Sequence, residues 1–546
     1  MRAYRRAANT IQGLVEDVAG IADRGSLREL PGVGDSIGAK IEDIVRTGTC
    51  ADYDRLTAEI PHGLLQLTTV DGIGPKTARQ LWLSLGIDSL EKLEAAARER
   101  RVAKVPGMGE KKQAKLLRAL ELRKDATARL PFYRAKRLSD PVVAALRALG
   151  FRCEAAGSLR RWAETVGDVD FLVAAEDHRG PTEAFRKAFD GAEVLGSGET
   201  RTSLRLLDGF RVDLRVIAPE NWGAALVYFT GSKAHNIRLR QIAIQQGMKL
   251  SEYGLFREDD GLRVAGETEE DVYDALGLPW IPPEIREDQG EIEWALEGKV
   301  PDLVTLKDIK GDLHAHTDQS DGAHALDVLA NAAKAKGYEY LAITDHTQSL
   351  TIAKGLDPRR VAEQSAAIRS WNEANPGKFQ LLHGTESDIH EDGSLDLPDE
   401  TLARLDFVIG SLHGKLKMPK EAMTERVVKA LSHPSIDVMG HPTARLLPDR
   451  EPVEVDFDKV LAAAKRSRTA LELNASANRM DLSAAHCRRA KEAGVKVVIS
   501  TDTHVLRELD QMEWGVHQAR RGWLGKDDVL NTKSREELLA YVGGVV

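Results

Sequence analysis

Six short apolar runs in the second half of this 546-residue chain constrain its fold more than any other feature: Tyr340 to Asp345, Gln380 to Glu386, Phe407 to His413, Val438 to His441, Ala470 to Asn474 and Lys496 to Asp502. Each has the length of a strand and ends in a polar or ligand-type residue, and helical patterns lie between them. Strands buried on both faces read as continuous apolar runs. Their alternation with helices predicts a parallel barrel whose functional groups gather at the C-terminal ends of the strands. Just upstream, Asp312-Leu313-His314-Ala315-His316-Thr317-Asp318-Gln319-Ser320-Asp321-Gly322 puts two histidines on one side of an extended segment, with an acid soon after.

The distribution of charge fits that picture. Of 15 histidines, 12 lie after residue 310, and imidazoles concentrated among carboxylates point to a metal site. Residues 1–250 carry 40 Lys+Arg against 32 Asp+Glu, whereas the remainder carries 36 against 53. A cationic half suits a phosphate backbone and an acidic half suits cations. Cys50, Cys153 and Cys487 are too scattered for a disulfide framework or a thiolate zinc site. No apolar run approaches a membrane span, and Met1 to Arg6 lacks the apolar core of a signal peptide, so a cytoplasmic protein with no membrane partner is expected. The length predicts three or more domains.

In the first half, the stretch Gly157 to Asp170 combines a Gly-Ser turn, Arg160 and Arg161, and then Asp168 and Asp170 on one face of an apolar strand spanning Val166 to Val173. Like charges on one strand face call for cations between them. A third carboxylate, Asp213, lies in Arg211-Val212-Asp213-Leu214-Arg215-Val216, which alternates as a half-buried strand should, with both arginines on the face of the acid. Before these, a charged link from Lys124 to Ser139 precedes a helical segment expected to start near Asp140-Pro141.

Further upstream, Gly32-Val33-Gly34, Gly72-Ile73-Gly74 and Gly107-Met108-Gly109 each join two apolar-periodic segments. They resemble the helix-hairpin-helix motif, in which a glycine turn brings the amides at a helix N-terminus close to a phosphate. Three within 125 residues imply sequence-independent DNA binding.

Gly157 to Val173 resembles the nucleotidyltransferase signature. Together with Tyr228-Phe229-Thr230-Gly231-Ser232-Lys233-Ala234-His235-Asn236, then Arg238 and Arg240, it makes residues 1 to about 285 similar to the family X DNA polymerases. The resemblance implies that Asp168 and Asp170 hold both divalent ions and Asp213 the catalytic one, Mg²⁺ or Mn²⁺. It also implies that Gly157, Ser158, Arg161 and Gly167 form the turns around the triphosphate, with Ser158, Arg161 and Gly167 at the β and γ phosphates. Tyr228 and Phe229 line the sugar pocket, Gly231 belongs to the nucleotide-binding set, Asn236 reaches the incoming base, Lys233 the nucleotide phosphates and Arg240 the template. Lys40 matches a position at which the family can carry a Schiff-base lysine acting on abasic sites; the plainer reading is a phosphate-contacting lysine.

From residue 310 the chain resembles the PHP (polymerase and histidinol phosphatase) domain, a distorted β/α barrel with up to three metal ions. The resemblance assigns its ligands to His314, His316, Asp321, His346, Glu386, His413, His441, Asp502 and His504, with Asp345 as a supporting residue and His390 undecided. Such a donor set suits Mn²⁺ or Zn²⁺.

The resulting expectation is a multidomain chain with an all-α helix-hairpin-helix region, an α+β nucleotidyltransferase palm with a small thumb, and a C-terminal α/β distorted TIM-like PHP barrel. Its boundaries fall at 1–60 (N-terminal helix-hairpin-helix domain), 61–139 (fingers), 140–217 (palm), 218–285 (thumb), 286–309 (acidic, proline-containing linker) and 310–546 (PHP). The expected function is short-gap repair synthesis by a monomer acting on gapped or nicked DNA and deoxynucleoside triphosphates, with a 3′-5′ exonuclease on the same chain, the two centres using different metals and communicating only through the shared DNA. The alternative is a small-molecule phosphatase with a vestigial DNA-binding half.

Overall fold

A computed structural model gives the structure of the protein and describes all residues except 1–3, 5, 6, 8–10, 12–17, 31, 60, 62, 63, 65, 66, 69, 71, 72, 127, 128, 208, 448 and 544–546. Described residues before 127 are helical or in turns. At the first two glycine hairpins a helix starts directly after Gly34 or Gly74: α1 (Asp35–Thr47) and α2 (Pro75–Leu85). At the third, α3 (Gly109–Ala126) opens on Gly109 itself. Gly32 and Gly107 adopt positive φ, 85° and 80°, the conformation that makes glycine the fitting residue there. Gly72 lies outside the described residues.

Helix α4 runs from Phe132 to Ala148 with Pro141 inside it. The chain therefore becomes helical eight residues before the expected start, and the tail of the presumed charged link is its first two turns. Phe132, Ala135, Ser139, Val142 and Leu146 form one buried stripe at helical spacing, and burial of that stripe outweighs the hydrogen bond that the proline removes.

Five strands follow: β1 (Arg152–Ala155), β2 (Asp168–Ala174), β3 (Glu193–Ser197), β4 (Arg201–Arg205) and β5 (Arg211–Ile217), in the sheet order β1-β2-β5-β4-β3. Only the β2–β5 pair is parallel. Phe171, Phe185, Val212 and Leu214 anchor the core beneath this α+β palm. Helices α5 (Trp222–Thr230) and α6 (Lys233–Gln245) and a three-stranded antiparallel sheet then form a smaller unit with its own core.

Residues 286–309, expected as a linker, are folded. Arg286 is wholly buried, α7 (Glu291–Leu296) forms, and Ile292, Ala295 and Leu303 join the core of the smaller unit together with Trp523 from near the C-terminus.

The last region is the expected barrel. Seven parallel strands stand in sequence order: β6 (Gly311–Asp312), β7 (Tyr340–Ile343), β8 (Gln380–Asp388), β9 (Phe407–Ser411), β10 (Val438–Met439), β11 (Ala470–Asn474) and β12 (Val497–Ser500). Beyond the first and last strands the chain pairs again at Ala315 and Thr503, with His316 N donating to the Thr503 carbonyl at 2.9 Å. This seam nearly closes the barrel and carries the His314/His316 segment to the Asp502/His504 segment.

Candidate active sites

Parallel pairing of β2 with β5 sets Asp168 opposite Arg211 and Asp170 opposite Asp213. The three acids thus meet on one patch of sheet, as a period-2 strand and its neighbour dictate. Burial, followed by the charges of Asp168 and Asp213, pushes Asp170 up to about 6. Asp213 is buried with Oδ1 lacking a hydrogen-bond partner, an acceptor without a donor in a cluster of anions. Arginines partly offset the repulsion: Arg211 pairs with Asp168, and Arg201 Nη2 lies 3.0 Å from Asp213 Oδ2. Arg215 places its guanidinium over the Phe229 ring instead, 4.8 Å from the centroid.

Gly157, at φ 66°, abuts these acids; a Cβ there would stand 3.4 Å from Asp170 Oδ2. Ser158 follows in the same turn of helix. Arg161 Nε donates to Glu287 at 2.8 Å and Nη1 to the Thr230 carbonyl at 2.7 Å, tying the Gly-Ser turn to the Tyr228–Asn236 segment. Gly167 lies under the Arg129 guanidinium. Tyr228 and Phe229 stack edge to face, and Asn236 Nδ2 donates to the Tyr228 carbonyl at 2.6 Å and the Gly231 carbonyl at 3.2 Å. A side chain at Gly231 would run into Asn236. Lys233 and Arg240 are exposed on α6. Sequence reasoning gave His235 no role of its own; it is buried between Glu291 (2.6 Å) and the Tyr273 hydroxyl (3.0 Å), bonds that tie α6 to α7 and the smaller unit's core.

In the N-terminal helical region, Lys40 Nζ sits 2.8 Å from Asp52 Oδ2 and 2.6 Å from the Tyr4 hydroxyl. Those hydrogen bonds, Asp52 first, hold the ammonium above its ordinary range, opposite to the shift that activates an amine nucleophile. A Cβ at Gly34, Gly74, Gly107 or Gly109 would meet nothing, so the backbone of each hairpin is open to close approach.

The second site occupies the C-terminal rim of the barrel. His314 and His316 follow β6, His346 follows β7, Glu386 stands in β8, His413 follows β9, His441 follows β10, and Asp502 and His504 follow β12. Three groups of side chains have ligand atoms within 4.8 Å of one another: His316, Asp321, His346 and His504; His314, His316 and Asp502; and His346, Glu386 and His413. His441 joins through Nε2, 2.9 Å from Glu386 Oε1. Every residue expected in this cluster is brought to it. His390 stands apart, 3.6 Å from Asp396, and Asp345 accepts hydrogen bonds from Thr317, Ser320 and Gln364.

Whether these residues suit metal ions is decided by their unmet valences. His314 Nε2, His316 Nδ1, His441 Nδ1 and Glu386 Oε2 are buried without a hydrogen-bond partner. His346 Nδ1 and Glu386 Oε2 approach to 2.8 Å without hydrogen-bonding geometry, as two ligands of one ion would. Against the cost of burial, the Glu386 charge and Asp321 push His346 up to about 10, and the neighbouring carboxylates push His413 and His504 up to about 9. Burial and the neighbouring imidazoles lower His316 to about 3. Protons thus stand where cations would, and the donor set fits divalent metals.

Two carboxylates at this rim were not foreseen. Glu472 in β11 lies 2.6 Å from His314 Nδ1, and Asp388 in β8 lies 2.8 Å from His413 Nδ1. Each orients an imidazole from behind. Arg479 Nε lies 3.5 Å from Asp502 Oδ2, a cation at the edge of the cluster.

Residues 225–287 match the family model of the DNA polymerase beta thumb, 312–476 that of the PHP domain, 64–123 that of the SAM-like helix-hairpin-helix tandem and 1–50 that of a helix-hairpin-helix domain. The DNA polymerase/3′-5′ exonuclease PolX of Bacillus subtilis is 36% identical over 544 residues, covering 99% of this chain and 94% of that protein. Rat DNA polymerase lambda is 29% identical over 315 residues, 52% of each chain. A probable phosphatase of Acetivibrio thermocellus is 33% identical over 215 residues, 37% of this chain and 82% of that protein.

Proposed function

Because the chain belongs to the PolX group of family X DNA polymerases, which carry a C-terminal PHP domain, we propose that it fills short gaps in DNA with one metal-dependent centre and trims 3′ ends with another. The chain is a DNA-directed DNA polymerase with a 3′-5′ exonuclease, and its substrates are DNA and deoxynucleoside triphosphates. The observation that carries the polymerase assignment is the register setting Asp170 opposite Asp213 beside Asp168, with the Gly157–Ser158 turn against them.

In this reading the helix-hairpin-helix units lie over 1–60 and 61–131, the palm opens on α4 and runs over 132–217, the thumb begins at 218 and takes in α7 and Leu303, and the PHP barrel spans 310–546. Gly32, Gly34, Gly72, Gly74, Gly107, Gly109 and Arg240 contact DNA backbone. Ser158, Arg161, Gly167 and Lys233 hold the triphosphate, while Tyr228, Phe229, Gly231 and Asn236 shape the pocket for sugar and base. Asp168, Asp170 and Asp213 hold Mg²⁺ or Mn²⁺, and the nine rim residues, His314 to His504, hold Mn²⁺ or Zn²⁺.

Divalent ions bound at either centre supply the positive charge that stabilises a phosphorus-centred displacement and lower the pKa of the attacking hydroxyl or water. The chain contributes position. Arg161, held by Glu287 and the Thr230 carbonyl, offers charge to the phosphates, and Phe229 stacked on Tyr228 walls the sugar side. At the rim, Glu472 and Asp388 fix the rings of His314 and His413. The protein acts as a monomer in the cytoplasm on gapped or nicked DNA in repair; no described helix is long and apolar enough to cross a membrane. Lys40, paired with Asp52, favours phosphate contact over Schiff-base chemistry.

A phosphatase of small molecules draws on relatives named probable phosphatases that match 37–40% of the chain, and it leaves the three palm acids without a role. Incubating a one-nucleotide gapped duplex, labelled on the primer, with Mg²⁺ and with Mn²⁺ tests the reading. It predicts a primer one nucleotide longer with nucleotide present and shortened primers without it; unchanged primers under both conditions would refute it.

A further inference from the structure

The two halves of the molecule touch directly, against the expectation that they communicate only through shared DNA. One face of a barrel helix, α8 (Met512–Arg521), lies against the turn that follows the Gly-Ser element. Its residues Trp514, His517, Gln518 and Arg521 recur at i, i+3, i+4 and i+7, the spacing of a single helical face. Each meets the palm. Trp514 packs edge-on against Phe132, with centroids 6.0 Å apart, and His517 stacks on Trp162 at 3.7 Å with the rings 9° from parallel. Gln518 Nε2 donates to Glu164 Oε1 at 2.5 Å. Arg521 Nη1 donates to the Arg161 carbonyl at 2.7 Å and to Glu287 Oε1 at 3.3 Å, the oxygen that receives Arg161 Nε.

Apart from Phe132, these palm contacts fall on one short turn, at Arg161, Trp162 and Glu164. Trp162 has φ 57°, a left-handed conformation that is uncommon for a bulky residue and persists only when its surroundings enforce it. Here Phe132 stacks on one side at 4.6 Å and His517 on the other. Glu164 is held twice from the barrel, by Gln518 and by Arg445 Nη1 at 2.9 Å. Nothing in α8 belongs to the rim cluster. Arg521 instead fixes Arg161 from both ends, at its carbonyl directly and at its guanidinium through Glu287.

We infer that α8 is a positioning element of the polymerase centre: Arg521, through Glu287 and the Arg161 carbonyl, holds the Arg161 guanidinium ready for the nucleotide triphosphate. The inference rests on the reading of Arg161 as a phosphate contact. Arg521 is a positioning residue, since its hydrogen bonds go to the Arg161 carbonyl and Glu287 and not to Asp168, Asp170 or Asp213.

The test is a double-mutant cycle on the full chain, read as steady-state gap filling with a deoxynucleoside triphosphate and, separately, as degradation of a single-stranded 3′ end with Mn²⁺. Arg521→Ala is expected to raise the nucleotide KM about 5- to 10-fold with little change in kcat and an unchanged exonuclease rate. Added to Arg161→Ala, it is expected to have no further effect, because both changes remove one interaction. Arg521→Lys, which keeps the charge but not the forked donor, is expected to move KM in the same direction and serves if the alanine variant does not fold. An unchanged KM in the Arg521 variants, with KM raised by Arg161→Ala, would overturn the inference alone; so would fully additive effects, or parallel loss of both activities in Arg521→Lys. If Arg161→Ala itself leaves KM unchanged, the reading of Arg161 fails and takes the inference with it.

Discussion

The two centres are built in opposite ways. Three palm acids come from two neighbouring strands in one register; Asp168 is 37% exposed and its charge is met by Arg211. The barrel rim draws its donors from the ends of six strands, and most are buried, His314, His316, Glu386 and His441 to within 1% of full burial. A carboxylate cluster open at Asp168 suits ions that keep water and arrive with a phosphate ligand, whereas a mostly buried mixed imidazole and carboxylate cage is assembled before substrate arrives. Local strand pairing suffices for the first. The second requires the barrel to close.

That contrast predicts separable losses. Asp213→Asn keeps the shape of the buried side chain but removes the charge that stands opposite Asp170 and pairs with Arg201; gap filling is expected to fall on the order of 10⁴-fold, with 3′-end degradation unchanged. Joint replacement of His314 and His316 by alanine should lower exonuclease activity about 10³-fold and leave primer extension in place, both read on one labelled gapped duplex. If either variant lost both activities in a folded protein, the centres would not be separate.

Smaller effects sharpen the difference in construction. Glu472→Gln leaves every rim donor present but weakens the partner of His314, so metal affinity measured by calorimetry should drop about 10- to 100-fold, with no change at the palm. Protonation offers a graded test. Asp170, raised to about 6, must lose its proton before binding a cation, so proton competition at the palm sets in as pH falls through about 6. His346, near 10, and His413 and His504, near 9, carry protons that a metal must displace across the whole neutral range. Between pH 8 and 6.5 the apparent metal affinity of the rim should therefore fall with pH, by up to about tenfold per unit for each proton displaced, while that of the palm changes little. Equal slopes would remove the distinction.

How much of this was legible in the sequence follows from the same contrast. Six rim donors, His346, Glu386, His413, His441, Asp502 and His504, were legible because each ends an apolar run or follows one, and a parallel barrel gathers strand ends; the full set, with His314, His316 and Asp321, came from the resemblance to the PHP domain. Glu472 was not legible, because Ala-Leu-Glu-Leu-Asn alternates like a half-solvated strand and only closure of the barrel buries its acid. Asp388 was hidden as a continuation of β8 past Glu386. In the palm, period-2 spacing revealed Asp168 and Asp170, but the pairing of Asp170 with Asp213 depends on which strands are neighbours. The glycine hairpins announced the starts of α1, α2 and α3. The contact of α8 with the palm could not be read at all: Gln518 and Glu164 are 354 positions apart, and no local pattern records a contact made by two assembled domains. For the same reason residues 286–309 read as a linker, although Ile292 and Leu303 are core residues once Trp523 arrives beside them.

The central claim, two chemistries divided between two independent centres, is tested most directly by complementation on a gapped duplex whose primer ends in a mismatch. Asp213→Asn alone should shorten the primer without filling the gap. The His314→Ala/His316→Ala protein alone should neither trim the mismatched end nor fill the gap behind it efficiently. An equimolar mixture should trim and then fill, approaching the wild-type product. Filling by Asp213→Asn alone, or trimming by the double-alanine protein alone, would contradict the account.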